Sequence, residues 1–476
     1  MKNSNKISPV FVILGCFLFC CACFLISSVA PAEAAIEHVS KIRADCSNVS
    51  GSCYTSLSAW EADYGGIDFS SQGCEEGDLV CADITESVQI EGEWTQPDTD
   101  PLDINGWTTD ATHNITIKTV GSARHDGTVS GPGYELAPGT DATNIKIQQP
   151  YTVIDGLKLK GNSEQEYKKG ILVESNQGKG AEIKNNLIYN WGAGKSYSAI
   201  YAHGGSDTFE NGKILNNIII AHPSPSDKST GGISATLQYD SYTVANNTVY
   251  GFDAPNKFGI QAGGDSSHIK GIIKNNIAVG NTTDFDVEYV QEADHNLSSD
   301  STAPGSDSLT NQALSDLSFN STEFGSQDLH IGYDSVAKDT GVNISSVLDK
   351  DIDGDSRPLG AGFDIGADEN TVTQTCSEAG GTCYSDPCDT YLDCDSVPGI
   401  CDGAHCCSGS CTKDTEAPTV PSDFSAADIS VSQINLSWSA SSDNDKVAGY
   451  KIYRNGSQID TVVNTEYNDL GLTPNT

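Results

Sequence analysis

Basic residues are scarce in this chain of 476 residues. It has 26 Lys and Arg against 65 Asp and Glu, which gives a formal charge of −39 at pH 7. Nucleic acid and anionic membrane surfaces are poor partners for such a chain, because counterion release on binding requires a basic protein surface. The charge fits a soluble extracellular protein, a cation binder or a protein from a high-salt habitat.

Long apolar stretches with helical periodicity are also missing after residue 35, and apolar residues make up only 37% of the chain. This excludes a polytopic membrane protein and a helical bundle. The length predicts two to four domains rather than a single core.

The first 35 residues have the three parts of a secretory signal. Lys2 and Lys6 precede an uncharged apolar run at residues 10–26, and the small residues Ala30-Pro31-Ala32-Glu33-Ala34-Ala35 follow it. A basic start, an apolar centre and an Ala-rich end predict a cleaved signal peptide at residues 1–35 and a secreted, extracellular or cell-surface protein. A retained anchor helix is the alternative, because the run approaches the shortest membrane span.

The 16 Cys fall into three groups, in the apolar run, near the predicted mature N-terminus and in residues 376–411. Clusters of even number in an exported chain indicate disulfides, and the mature chain lacks the C-x-x-C spacing of structural zinc sites. Pairing Cys46 with Cys53 and Cys74 with Cys81 closes short loops, but other pairings stay open. Residues 371–415 are predicted to be a small disulfide-rich segment, with too few apolar residues to fold without cross-links.

A repeat dominates the middle of the chain. The same four-residue motif, an apolar residue, a variable residue and two Asn, occurs four times, with its Asn pairs at Asn185-Asn186, Asn216-Asn217, Asn246-Asn247 and Asn275-Asn276. We align Asp155 with Asn185 as an earlier copy of this motif. Short alternating runs keep nearly the same spacing, among them Gly170-Ile171-Leu172-Val173, Ala199-Ile200-Tyr201-Ala202 and Gly259-Ile260-Gln261-Ala262. Alternation without intervening helical patterns predicts strands that pair with their equivalents one coil away. The result is a parallel β-helix, whose coils bury their core only against their neighbours.

The recurring Asn is expected at a tight bend between two sheets. Its side chain tolerates left-handed backbone and can bond the same residue in the next coil. Repeated in every coil, these bonds form an inward Asn ladder that satisfies polar groups buried in the bend.

Coils of this kind resemble the right-handed parallel β-helix of pectate-lyase-like proteins, and the resemblance covers residues 111–300. Arg357-Pro358 followed by Asp364-Ile365-Gly366-Ala367-Asp368-Glu369 resembles the C-terminal segment of secreted bacterial β-helix proteins of the choice-of-anchor type. Residues 301–370 are therefore expected to form the last coils and a cap. At the other end, residues 36–110 are expected to be an N-terminal cap region, with a short amphipathic helix at residues 54–64 that buries Leu57 and Trp60.

Residues 416–476 resemble a fibronectin type III domain. Residues 434–438 and 449–454 correspond to its B and C strands, and Trp438 corresponds to the core anchor. Strands F and G have no counterpart, so we expect an incomplete sandwich and a longer parent protein. The predicted fold class is all-β: a right-handed parallel β-helix solenoid, a small disulfide-rich segment and a partial fibronectin type III β-sandwich.

The resemblance implies a shallow groove along one exposed strand face. Residues one and three places after each inward Ile point outward, which places Tyr201 and His203 on this face with Glu174 one coil earlier. These three are the catalytic candidates for acid–base chemistry, and Tyr201, His203 and Gln261 are the candidate substrate-binding residues. An ordinary solvated strand face is the alternative. Just past the strands, three residues are expected to form an acidic column: Asp207, Asp240 and Asp265.

Four acidic residues match the start of a calcium loop, D-x-D-x-D-G: Asp349, Asp351, Asp353 and Asp355. Calcium is therefore the cofactor that the sequence predicts. The twelfth position is Gly360 rather than Glu, so the loop is not a complete EF-hand. The alternative is a cap turn in which Arg357 pairs with Asp364 or Glu369.

The sequence favours a secreted or cell-surface protein that binds extracellular polysaccharide, preferably a neutral or sparsely charged glycan. The alternative is a polysaccharide lyase or glycoside hydrolase with a diverged site on the same face. The predicted outward positions, one and three places after each inward Ile between Leu172 and Gly263, include no Arg or Lys. This argues against a lyase. No nucleic acid partner is expected, and no membrane contact beyond the signal peptide or a further anchor.

Overall fold

The computed structural model describes residues 35–139, 142–161, 168–192, 197–204, 208–224, 231–237, 239–370, 419–430, 432–442, 450–454, 457–462, 464–470 and 472. The predicted signal peptide up to residue 34 and the predicted disulfide-rich segment at 371–415 lie outside the described residues.

The chain forms a parallel β-helix of three sheets, as predicted. Sheet 1 has ten strands, in the order Cys53–Tyr54, Ile36–Ile42, Ile84–Ile90, Ile115–Thr119, Thr152–Asp155, Glu182–Lys184, Gly212–Leu215, Tyr242–Ala245, Gly271–Lys274 and Glu292–Asp294. At strand spacing, these ten strands extend over about 43 Å.

Sheets 2 and 3 have seven strands each. Sheet 2 contains Leu102–Ile104, Ile145–Ile147, Ile171–Val173, Ile200–Gly204, Gly231–Leu237, Phe258–Gly263 and Thr283–Glu288. Sheet 3 contains Glu135–Leu136, Lys158–Lys160, Leu187–Trp191, Ile218–Ala221, Thr248–Tyr250, Ile277–Val279 and Leu297–Ser298.

Stacked aliphatic side chains fill the interior. In sheet 2, each inward Ile pairs with the inward Ile of the next coil, along the column Ile145, Ile171, Ile200, Ile233 and Ile260. All five are fully buried, which confirms the inward positions read from the alternation.

The solenoid begins earlier than expected. Residues 36–110 contribute strands to sheets 1 and 2, and the Ile36–Ile42 strand pairs in parallel with Ile84–Ile90. The predicted helix is present at Leu57–Ala62, where the Ser56 side chain accepts a hydrogen bond from the Ala59 N–H. Leu57 and Trp60 are buried, and Trp60 stacks on Trp107 at 5.5 Å between ring centroids.

Other helical elements are short. An α-helix spans Leu79–Ala82, and 3-10 helices span Tyr64–Gly66, Ser70–Gln72, Gly121–Ala123 and Leu314–Leu317. None of the helices among the described residues has the length and apolar composition needed to cross a bilayer. Disulfides join Cys46 to Cys53 and Cys74 to Cys81, the short-loop pairings considered above.

The Asn ladder is present where sheet 1 turns into sheet 3. Each Asn of the ladder donates its backbone N–H and its side-chain amide to the side-chain oxygen of the equivalent Asn one coil later. The bonded column runs through Asn186, Asn217, Asn247, Asn276 and Asn296. These side chains are fully buried, so the ladder supplies the partners that solvent cannot reach.

The first Asn of each pair takes the left-handed backbone, with φ from 52° to 56° at Asn185, Asn216, Asn246 and Asn275. The alignment of Asp155 with Asn185 was wrong by one residue, because Ile154 pairs with Ile183 and Gly156 takes the left-handed position at φ 80°. Glycine replaces Asn there without steric cost.

Residues 318–370, here called the C-terminal strap, lie along the side of the solenoid, which differs from the predicted cap over its end. Only the preceding segment extends the stack, through a parallel bridge between Leu297 and Leu309. Strap residues Leu329, Ile352 and Ala367 pack on the outward side chains of sheet 3, including Leu187, Ile218 and Ile220. Sheet 3 is therefore buried on both faces, and its Ile218-Ile219-Ile220 run is apolar without alternation.

The fibronectin-like region has the predicted B and C strands. Ser422–Ser430, Gln433–Ser439 and Glu466–Leu470 form one antiparallel sheet, and Tyr450–Arg454 pairs with Ser457–Val462. Trp438 is buried and contacts the Tyr450 ring edge-on at 5.2 Å, which confirms its role as a core residue.

Candidate functional site

Sheet 2 presents the open outer face of the solenoid. Sheet 3 is covered by the C-terminal strap, and the outer face of sheet 1 carries ion pairs such as Glu182 with Lys184 and Lys213. Along sheet 2, strand pairing aligns the outward residues in two columns. One column contains Lys146, Leu172, Tyr201, Ser234, Gln261 and Asp286, and the other contains His203, Thr236, Gly263 and Glu288.

Tyr201 and His203 lie together on this face, as predicted. Their rings stack with centroids 5.5 Å apart and planes inclined by 16°. Tyr201 is half-buried and His203 is exposed. Burial, with a smaller contribution from Tyr197, raises the pKa of Tyr201, so this hydroxyl stays protonated at neutral pH. The pair offers a flat aromatic surface with a hydroxyl and an imidazole at its edge.

Gln261 belongs to a hydrogen-bonded chain across three coils. The Ser234 hydroxyl donates to Gln261 Oε1 at 3.1 Å, and Gln261 Nε2 donates to Asp286 Oδ2 at 2.7 Å. Ser234 follows the inward Ile233 and lies on the outer side of the sheet, but it is only 2% exposed because larger side chains flank it in its column. The chain holds the Gln261 amide in one orientation.

A cleft of about 490 Å³ lies next to this chain. Its polar lining residues are His203, Thr236, Gln261, Asp286 and Glu288, and glycines and small or apolar residues of the same strands complete it. His203 and Gln261 are the predicted site residues that the cleft brings together.

Asp286 and Glu288 were not found by the sequence analysis, although both line the cleft and are exposed. The coil that contains them has Phe285 at the position of the inward Ile. Fewer residues separate this position from Ile260, its equivalent in the coil before, than separate Ile233 from Ile260. The alternation Asp284-Phe285-Asp286-Val287-Glu288 was the available signal. Tyr289, which follows directly, is 47% exposed.

Glu174 is turned toward Lys146 rather than toward the cleft. The two groups form an ion pair at 3.3 Å between Lys146 Nζ and Glu174 Oε2. Lys169 Nζ lies over the Tyr197 and Tyr201 rings, 4.3 Å and 5.4 Å from their centroids. Basic groups therefore do reach this face, at Lys146 and Lys169, outside the positions considered in the sequence.

The predicted acidic column does not form among the described residues. Asp240 is only 1% exposed, and its Oδ2 accepts the Phe209 N–H at 2.6 Å. Asp265 accepts hydrogen bonds from Ser267 and His268 within its own turn, and these bonds lower its pKa. Asp207 lies outside the described residues.

The acidic stretch from Asp349 to Asp355 forms a turn of the C-terminal strap. Asp351 is buried, and its two oxygens accept the N–H groups of Asp353, Asp355 and Glu369. Arg357 donates to Glu369 at 2.8 Å, and both side chains are fully buried. This is the ion pair expected of the cap-turn alternative.

One residue of this stretch, Asp353, also belongs to a cluster with His330 and Asp368. One imidazole nitrogen and one carboxylate oxygen from each Asp lie within 4.8 Å of one another. His330 Nε2 contacts Asp353 Oδ2 at 2.8 Å, and Nδ1 contacts Asp328. Burial alone lowers the pKa of His330, but these carboxylates outweigh it and raise the pKa to about 11. A cationic His330 therefore links Asp328 to Asp353 within the strap.

No family model matches the chain. Three curated relatives share short matches with it: an alpha-amylase of Niallia circulans (42% identity over 84 residues, 17% of this chain and 6% of the relative), exoglucanase B of Cellulomonas fimi (40% over 68 residues, 14% and 6%) and chitinase 63 of Streptomyces plicatus (40% over 70 residues, 15% and 12%). The matched region is fibronectin-III-like, and the chain spans at most 12% of these relatives' length.

A solved structure of pectate lyase Pel9A is also similar to this chain. The two share 12% sequence identity with a TM-score of 0.27, over 71% of this chain and 98% of that one. The assignment of a parallel β-helix rests on the strand pairing described above.

Proposed function

We propose that this protein binds extracellular polysaccharide along the outer face of sheet 2. The observation that carries the proposal is the open polar face itself, with the Tyr201–His203 stack beside a cleft. Aromatic rings pack against the apolar faces of sugars, and fixed amide and carboxylate groups bond sugar hydroxyls. A rigid sheet loses little freedom on binding, so weak contacts to successive sugars add up.

Fibronectin-like regions shared with an alpha-amylase, an exoglucanase and a chitinase support a role near polysaccharides. They match only a small part of the chain, so the support concerns the setting of the protein rather than the chemistry of sheet 2. The fibronectin-like region is proposed to act as a spacer or anchor for the solenoid.

The second candidate is a polysaccharide lyase or glycoside hydrolase. Its supporting observation is that the cleft holds an imidazole and two carboxylates, on His203, Asp286 and Glu288. These groups are general acids and bases in such reactions. Binding is the first candidate because two of these groups are already held by other side chains. Gln261 donates a hydrogen bond to Asp286, and the His203 ring stacks on Tyr201.

Polysaccharide arrays followed by product assays separate the two candidates. We expect binding without new reducing ends or unsaturated products. Products that disappear in the His203→Ala variant would establish the enzyme instead, whereas failure to bind any polysaccharide would reject both.

We further propose that the protein is exported and that the mature chain begins near Ala35 or Ile36. The two disulfides near the N-terminus support an oxidising compartment. An intact mass of the secreted protein should show cleavage at that point and loss of thiol hydrogens. An uncleaved N-terminus, or twelve free thiols in the mature chain, would contradict this.

A further inference from the structure

The charges on the outer face of sheet 2 are unevenly compensated. Toward the start of the solenoid, Lys146 pairs with Glu174 and Lys169 lies over two tyrosine rings. Toward the other end, Asp286 and Glu288 are exposed on one strand and form no ion pair with any cation of the described residues. The cleft therefore holds two carboxylates that no cation of the described residues neutralises.

The cleft also contains unused hydrogen-bonding capacity. The Thr236 hydroxyl oxygen is buried in its wall and has no hydrogen-bond partner in the described part of the chain. Asp286 is oriented by the Gln261 amide through Oδ2, and no described group donates to its other oxygen. Buried polar groups are normally satisfied, so an orphaned hydroxyl beside two carboxylates points to a polar ligand.

A ligand that fills the cleft removes water from Asp286 and Glu288. A neutral sugar would leave two carboxylates desolvated without a counter-charge, which is costly. A polyuronate would add like charge to a protein whose formal charge is already −39. An ammonium group avoids both costs, because it carries the counter-charge and donates charge-assisted hydrogen bonds to carboxylates.

We infer that the ligand of this cleft is a polysaccharide with free amino groups, such as a chain of deacetylated amino sugars. The inference rests on the proposed function and names its substrate class. It differs from the neutral glycan that the net charge alone favours, because it follows from where the unpaired carboxylates lie. Asp286 and Glu288 are then the specificity-determining residues, while the Tyr201–His203 stack supplies the surface shared by all glycans.

The test compares two oligosaccharides with the same backbone, a hexamer of N-acetylglucosamine and its fully deacetylated counterpart. Binding is measured by calorimetry to the full secreted chain at pH 6 and low salt, in the presence of EDTA. We expect the deacetylated hexamer to bind about tenfold more tightly, with the preference falling as salt rises. The Asp286→Asn/Glu288→Gln variant should bind the two hexamers equally.

The matched control is Asp253→Asn/Glu323→Gln, which removes two exposed carboxylates that do not line the cleft. It should keep the preference, and urea midpoints should show that both double variants are folded. Equal binding of the two hexamers by the native chain would overturn the inference while leaving the proposed function intact. Binding that requires a divalent cation, or that prefers a polyuronate, would also overturn it. Failure to bind either hexamer or any arrayed polysaccharide would reject the proposed function itself.

Discussion

Replacing Asn217 with Leu should strongly destabilise the solenoid. The Asn217 side chain accepts hydrogen bonds from the backbone and side chain of Asn186, at 3.1 Å and 2.9 Å. Its own Nδ2 donates to the Ile183 carbonyl and to Asn247, both at 2.9 Å. Leucine has a similar size but can neither donate nor accept, so the change removes one rung while leaving the volume nearly filled.

The magnitude follows from the groups left without partners. The Asn186 backbone N–H and the Ile183 carbonyl lose their Asn217 partner at a site that solvent does not reach, because Asn186, Ile183 and Asn217 are all fully buried. The Ile183 carbonyl keeps its bond within sheet 1, where Ile183 pairs with Ile214, so the Asn186 N–H is the group left unsatisfied. One buried unsatisfied group costs about 1–3 kcal/mol, and we expect the free energy of unfolding to fall by that amount. Asn247 keeps a donor, since the Asn217 backbone N–H still reaches it at 3.0 Å.

Urea unfolding followed by circular dichroism measures the effect. Asn105→Leu is the matched control, because this Asn is exposed and lies just after a strand of the same solenoid. Its midpoint should stay close to that of the native chain. Equal midpoints for Asn217→Leu and Asn105→Leu would refute the argument that the ladder satisfies buried polar groups.

Three further predictions concern the C-terminal strap. Arg357→Met should lower the free energy of unfolding, measured in urea, by about 3–5 kcal/mol, because it leaves Glu369 buried and unpaired. Arg43→Met, which breaks a partly exposed pair with Glu91, should lower it by about 0–1 kcal/mol. Similar losses in the two variants would contradict the importance of the buried pair. The pKa of His330 is raised to about 11, so the stability that its charge contributes is complete below the unfolded pKa of 6.5 and is lost as pH rises. Urea midpoints of the native chain should therefore fall from pH 7 to pH 9.5, and the fall should be smaller in His330→Gln but not in the surface variant His222→Gln. An unchanged slope in His330→Gln would disprove the assignment. Millimolar Ca²⁺ or EDTA should leave the melting temperature unchanged, because Asp351 already accepts three backbone N–H groups. A clear rise in melting temperature with Ca²⁺ would establish the calcium loop instead.

The interior of the solenoid could be read from the sequence because every coil repeats the same requirement. Ile171, Ile200 and Ile233 occupy equivalent inward positions, and Asn at the bend both tolerates left-handed backbone and bonds its neighbour. Errors arose where the repeat changes. Gly156 replaces the left-handed Asn, and the next rung after Asn276 is Asn296, after a much shorter step.

The path of the strap could not be predicted, because it depends on contacts between distant parts of the chain. Arg357 donates to Asn216 across 141 positions, and Arg124 donates to the Ile352 carbonyl across 228. The apolar outer face of sheet 3, visible in Ile218-Ile219-Ile220, showed that a cover was needed but not which segment supplied it.

The candidate site was predicted in part for the same reason. Tyr201, His203 and Gln261 follow inward Ile positions of the regular repeat, so their direction was fixed by alternation. Asp286 and Glu288 lie in a coil that departs from the repeat, and their approach to Gln261 and His203 depends on strand register.

Binding of polysaccharide to the outer face of sheet 2 can be checked by altering two faces of the solenoid separately. Affinity for a polysaccharide selected on the array is measured for Tyr201→Ala/His203→Ala and for Lys213→Ala/Thr243→Ala, which alters the outer face of sheet 1. Urea midpoints verify that both variants are folded. We expect about a tenfold loss of affinity for the sheet 2 variant, since stacked aromatic contacts carry much of glycan binding, and little change for the sheet 1 variant. Full affinity in Tyr201→Ala/His203→Ala, or a loss confined to Lys213→Ala/Thr243→Ala, would contradict it.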